Sequence, residues 1–276
     1  MNTKACQIIR KGFTTMKNAN TVTRAETRAA ARAARAAANA AARLEHKKQV
    51  MQARIELFKQ YLQEYTARIQ AGEMLELSIS FKNDKMGPVP SVSTLPFLTC
   101  PAICRDTCGV DCYAAKMAAN LSRPSVINTW ARNTAILINQ PDRFWAAVSD
   151  AVKGFRFFRY HVAGDIFGIP YFQHMIEIAR NNPACEFLAF TKAFNTVNGW
   201  IRKNGQLPNN LHILFSGWYD MKPNNPYNLP ETNVLDRGDE IPEGWTICGG
   251  CCYDCACRGT GCWTVKNGET IAFYKH

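Results

Sequence analysis

The sequence predicts an α/β chain: a partial (β/α) barrel with parallel strands, preceded by a long basic N-terminal helix and followed by a Cys-rich metal module. Three observations carry this expectation. From Phe155 to Phe215, short apolar β-rich runs alternate with helical periodicity, the pattern of parallel strands joined by right-handed crossover helices. From Arg24 to Gln70 there is neither Gly nor Pro, and the residues that cost least in a helix dominate. Ten of the 12 cysteines fall in two short windows, a density that points to metal ligation rather than to scattered core thiols.

Charge divides the 276 residues unevenly. Residues 1–75 carry 14 Lys or Arg against 5 acids, whereas residues 76–276 carry 19 against 17. No run of about 18 apolar residues predicts a membrane span. The N-terminus lacks the apolar core of a secretory signal, so the thiols are expected to stay reduced.

In chain order, residues 1–23 read as a flexible basic tail and residues 24–72 as one long Ala/Arg-rich helix. The first half of that helix offers mainly alanine as an apolar face and buries little area. Its second half sets Val50, Ile55, Leu57, Phe58, Tyr61, Leu62, Tyr65 and Ile69 roughly on one side, so that half is expected to dock. Arg24, Arg28, Arg32, Arg35 and Arg43 suit a nucleic-acid partner held through its phosphates, or else a solvated extension. Gly72 ends the helix.

Residues 75–242 are expected to form the partial-barrel domain. Leu75–Phe81 alternates as a first strand, and the prolines from Pro88 to Pro96 exclude regular structure before the first cysteines. Pro124 and Pro141 each suit the first turn of a helix. Strands are expected near 155–162, 185–190 and 211–215, with two more near 232–235 and 244–247 and a last one over 270–276; helices are expected over 170–181 and 194–203. Asp165, Thr191, Lys192 and Ser216 fall at strand ends, where α/β folds place their chemistry.

The first cysteine window sets Cys100, Cys104, Cys108 and Cys112 four apart; Pro101 and Gly109 argue against one continuous helix there. The second, within the expected module 243–276, holds Cys248, Cys251, Cys252, Cys255, Cys257 and Cys262. Four thiolates suit an iron–sulfur cluster or a tetrahedral zinc ion, and six exceed what either needs. The three-residue gaps of the first window favour a cluster over a zinc knuckle, giving one or two 4Fe-4S clusters, with zinc as the alternative. Tyr113, beside the last thiol, is placed to shield such a cluster. Isolated Cys185 reads as core, and His276 as a free terminal residue.

Cys112-Tyr113-Ala114, the segment from His161 to Asp165, Phe190-Thr191-Lys192, the late cysteine module and the final Tyr-x-His together resemble the bacteriophage family called gene product 88, over about residues 75–276. That resemblance implies a phage origin and a place in the cytoplasm of an infected host cell. More distantly, cysteines after the first strand of a partial α/β barrel look like the radical S-adenosylmethionine enzymes. This likeness implies that three of Cys100, Cys104, Cys108 and Cys112 are cluster ligands, and that Asp165, Lys192 and His161 are catalytic. It also implies that Tyr113, Thr191 and Ser216 line the site of S-adenosylmethionine. The gaps here are three and three, and the aromatic follows the cysteine, both departures from that family's pattern. Two other functions fit the residues: a zinc-dependent DNA base transglycosylase using Asp165 and Asp220 as paired carboxylates, and a metal-stabilised nucleic-acid-binding protein without catalysis.

Overall fold

The Ala- and Arg-rich stretch from Arg24 to Gln70, which has neither Gly nor Pro, lies within one helix, α1 (Thr3–Gln70). The structure, a computed structural model, describes residues 3–275, with side chains from Arg24 onward. The tail expected over 1–23 and His276 lie outside the residues described in full. The chain divides into two units, residues 1–50 and residues 51–276. In the first, every side chain from Arg24 to Gln49 is exposed, as follows from an apolar content that is nearly all alanine.

In the second unit, the end of α1 buries Ile55, Phe58 and Tyr65. Phe58 stacks on Phe97 with ring centroids 6.2 Å apart. Leu57, Tyr61, Leu62 and Ile69 pack against the same core, so the apolar side read from the sequence is the side that docks. Gly72 at φ +89° ends the helix: its N–H donates to Ile69 O at 3.0 Å and the Glu73 N–H donates to Arg68 O at 3.0 Å. These are the paired bonds of a Schellman motif, which satisfies carbonyls the last turn leaves open.

Seven parallel strands form one sheet: β1 (Ser91–Val92), β2 (Phe157–Tyr160), β3 (Glu186–Thr191), β4 (Leu211–Ser216), β5 (Glu231–Leu235), β6 (Trp245–Ile247) and β7 (Thr270–Tyr274). Their spatial order is β1-β2-β3-β4-β5-β7-β6, an open order in the described residues. The α/β class and parallel pairing agree with the sequence reading, while barrel closure is absent from this pairing.

The strand expected at Leu75–Phe81 does not form. Ser80 makes only an isolated antiparallel bridge to Ser91. Upstream, Asn133 takes the place of a neighbouring strand: its side chain accepts from Ser78 N and donates to Ser78 O, each at 2.9 Å. The first true strand lies among the prolines. Pro90 O accepts from Arg159 N and Val92 O accepts from His161 N, so the ladder asks nothing of the N–H that Pro90 lacks.

Helices α2 (Ile103–Asp106) and α3 (Tyr113–Ala118) flank a 3-10 turn at Gly109–Asp111. Then follow α4 (Pro124–Asn139), α5 (Pro141–Val152), α6 (Ile169–Asn181), α7 (Phe194–Asn204) and α8 (Cys252–Arg258). Side chains alternate across the strands. Phe158, Tyr160, Phe187, Ala189, Ile213 and Phe215 share a core with residues of α4 to α7. Phe157, Leu188 and Leu214 face the other way, onto Met86, Val89, Cys255, Ala256 and Trp263. Helices thus cover one face and the Cys-rich segment covers the other.

Phe58→Ala removes a fully buried ring from the docked half of α1 and should lower stability by about 3–5 kcal/mol. Urea denaturation of the two proteins side by side checks this.

Candidate functional site

Because all seven strands run the same way, their carboxyl ends fall along one edge, and Asp165 fastens the ends of β2 and β3. Its Oδ1 accepts from Ile166 N at 2.7 Å and from the Thr191 hydroxyl at 2.5 Å, and its Oδ2 accepts from Lys192 N at 2.9 Å. Lys192 carries the fastening to β4, its Nζ donating to Ser216 O at 2.9 Å, Ser216 Oγ at 2.8 Å and Gly217 O at 3.2 Å. Burial raises the Asp165 pKa, opposed by those hydrogen bonds and by the Lys192 charge. Gly164, at φ +85°, lets the chain close in here: a Cβ would sit 2.0 Å from Thr94 Oγ1 and 2.7 Å from Thr99 Oγ1. With their polar atoms engaged by one another, Asp165, Thr191, Lys192 and Ser216 make a rigid floor.

The first cysteine window spans that floor in short helical pieces, the broken geometry that Pro101 and Gly109 imply. Three ties hold it over the strand ends. Thr94 N donates to Ala163 O at 3.0 Å, the Tyr113 hydroxyl donates to Val162 O at 2.6 Å, and Lys275 Nζ at the end of β7 pairs with Asp111 at 3.0 Å. Gly109 is pressed against Cys104 O and the Met51 sulfur, each 2.8 Å from where a Cβ would stand.

The four thiols are neighbours. Cys104 hydrogen-bonds with Cys100 and Cys108, which raises its pKa together with burial. Cys112 interacts with the charges of Cys108 and Cys100, and burial pushes it up to about 12. The Cys104 hydrogen bond takes Cys108 down to about 6 against its own burial, helped by the Lys192 charge. Cys108 also feels the charge of Asp165, so the thiol window and the strand-end floor form one site.

On the face of the sheet opposite the helices, β6 leads into the second window. Arg159 of β2 reaches it, with Nη1 3.4 Å from the Cys252 sulfur and the guanidinium 4.7 Å from the Phe190 ring centroid. Tyr113, an exposed residue, lies between the windows and interacts with Cys112, Cys108, Arg159 and Cys252; desolvation raises its phenol pKa, opposed by the Arg159 charge. Arg159, and Lys85, which interacts with Cys248 and Cys252, did not figure among the expected site residues. The signal for Arg159 was a charge inside the apolar run Phe155–Val162.

His161 does not join this site. It lies on the helix-covered side at φ +59°, with Nε2 2.8 Å from the Tyr171 hydroxyl. Asp165 is buried while Asp220 is exposed on the turn from Trp218 to Met221, so the two carboxylates occupy different environments. Cys185 is buried in the core, as expected.

As a test of fit, each window offers at least four sulfurs, the donor chemistry of a zinc ion or an iron–sulfur cluster. Among the described residues no three Cys, His, Asp or Glu side chains already stand as a formed ligand shell. The thiols would close on a metal as it binds.

Burial, aided by the Arg159 charge, pushes the His161 imidazole down to about 3. The unfolded chain, with His near 6.5, therefore binds a proton that the fold excludes. Stability from this residue is complete above about pH 6.5 and falls as the pH drops toward 3, with a slope of up to about 1.4 kcal/mol per pH unit. His161→Gln should flatten the pH dependence of stability in that window, read from urea midpoints between pH 4 and 7.

No curated protein and no solved structure matched the chain. The residues that build the floor and the first thiol window all lie within the 62–241 stretch matched by the family model described as Gene product 88. By that match, which covers more than half of its length, the chain belongs to the bacteriophage Gene product 88 family.

Proposed function

We propose that this is a phage iron–sulfur enzyme of radical S-adenosylmethionine type that acts on nucleic acid in the cytoplasm of the infected cell. The observation that supports it most is the placement of Cys100, Cys104, Cys108 and Cys112 directly over the carboxyl ends of a parallel sheet, where α/β enzymes hold their reactants. Three of the four thiolates would hold a 4Fe-4S cluster, and the fourth would stand aside for the cosubstrate. When bound, such a cluster supplies one electron to the sulfonium of S-adenosylmethionine.

The chain's own residues supply position. The Lys192 ammonium, fixed by three oxygens, holds positive charge beside Cys108 and favours its thiolate. Asp165 keeps the ends of β2 and β3 in register, and Thr191 and Ser216 anchor that arrangement. The exposed ring of Tyr113 offers a flat face at the mouth of the site. Nucleic acid is the substrate class favoured by α1: with about 3.6 residues per turn, Arg24, Arg28, Arg32, Arg35 and Arg43 fall within an arc of about 100°, and all are exposed.

Protein purified without oxygen should be coloured and contain about four irons and four sulfides for the first window, lost in Cys104→Ser. S-adenosylmethionine added to the reduced protein should change its electron paramagnetic resonance spectrum. A colourless protein holding only zinc would sink this reading in favour of the transglycosylase or the non-catalytic binding protein. Replacing the five arginines by Gln should weaken duplex DNA binding and reduce the salt slope, log K against log salt, by roughly 4.

A further inference from the structure

The late window has six cysteines, two more than a tetrahedral ion or a cubane cluster takes, and the fold sorts them. Cys248 follows β6 directly, Cys252 and Cys255 lie within the first turn of α8, and Cys262 lies in the 3-10 turn Gly261–Trp263. Charge interactions join these four: Cys262 with Cys248, Cys252 and Cys255, and Cys252 with Cys248 and Cys255. The backbone closes around them where glycine permits. The Cys255 sulfur stands 3.2 Å from where a Cβ on Gly249 would be and 3.4 Å from one on Gly261. Gly250 N donates to the Cys248 sulfur at 3.4 Å, a backbone donor of the kind that steadies a thiolate.

The remaining two turn elsewhere. The Cys251 sulfur lies beside Gly87, 3.4 Å from its Cβ position. Cys257 is exposed and hydrogen-bonds with the Tyr253 phenol.

From this geometry we infer that Cys248, Cys252, Cys255 and Cys262 form a second, closed tetrathiolate centre for a thiophilic metal, a zinc ion or an iron–sulfur cluster, with Cys251 and Cys257 outside it. The inference rests on the reading of this chain as a metal–thiolate protein and adds which thiols serve the late site.

Charge supports it independently. Four thiolates around a divalent ion leave a net charge of about −2. Two cations face this group: Arg159, 3.4 Å from Cys252 with its Nε buried and unpartnered, and Lys85, which interacts with Cys248 and Cys252. Lys85 is exposed and Arg159 half-buried; a partly buried cation such as Arg159 is favoured by a counter-charge, and a metal tetrathiolate provides one. The four sulfurs line a cavity of about 40 Å³ together with Arg159, Phe190 and Cys251, above the roughly 10–15 Å³ that one water-sized sphere requires; what sets Cys251 apart is its sulfur's place beside Gly87.

The test is alkylation of the native full-length protein with iodoacetamide, mapped by peptide mass, alongside iron, sulfide and zinc counts. Cys257 should label, while Cys248, Cys252, Cys255 and Cys262 stay protected until a chelator strips the metal. The double variant Cys251→Ser/Cys257→Ser should keep the full metal content, and Cys262→Ser should lose one centre's worth while the metal of Cys100–Cys112 remains. Labelling of the four at the rate of Cys257 with metal retained, or loss of metal from the double variant, would overturn the inference. One zinc against about four irons with sulfide identifies the occupant. A protected quartet without iron at the first window would defeat the enzyme reading alone; iron at the first window with a freely labelled quartet would defeat this inference alone.

Discussion

The buried carboxylate of Asp165 is the constraint from which the rest of the site follows. A carboxylate taken out of water is costly unless its oxygens find donors, and here they find the Thr191 hydroxyl and the backbone N–H groups of Ile166 and Lys192. Those donors belong to two strand ends, and Lys192 extends the tie to a third through Ser216. Satisfying one charge thereby fixes the edge of the sheet on which the first thiol window rests. Gly164 belongs to the same requirement, since a side chain there would push Thr94 and Thr99 away.

The two faces of the sheet are covered by different means. Helices α4 to α7 bury large apolar side chains against one face, the ordinary hydrophobic solution. The opposite face has a small core of Met86, Val89, Leu188, Leu214 and Trp263, completed by a segment with little regular structure. Metal–thiolate bonds can supply folding energy where apolar area is scarce, which suits a segment whose seven-residue helix could not stand alone.

Much of the architecture was legible in the sequence because its signals were local. Pro124 and Pro141 open α4 and α5 at their first positions, and the strands at β2, β3 and β4 are dense enough in apolar residues to declare themselves. The failure at Leu75–Phe81 had a non-local cause: alternation promised a strand, but the partner for Ser78 is the side-chain amide of Asn133, 55 residues away. β1 escaped notice because two residues between prolines carry no periodicity. At the site, spacing set the first four thiols in one window, and the structure places His161, expected among the catalytic residues, against Tyr171 on the helix-covered side. A strand end gives no sign of which face a side chain takes, and the left-handed turn at His161 sends it toward Tyr171.

The order β5-β7-β6 has a consequence for how the chain assembles. β6 pairs with β7 alone, and β7 is made after the whole cysteine-rich connection. Until that connection has folded back and delivered Thr270–Tyr274 between its two neighbours, β5 presents an open edge and β6 has nothing to join. The late thiols therefore sit in the hinge of a closing step: whatever gathers them shortens the path by which β7 finds its slot, and so completes the sheet and brings Lys275 to Asp111 in the roof of the first site.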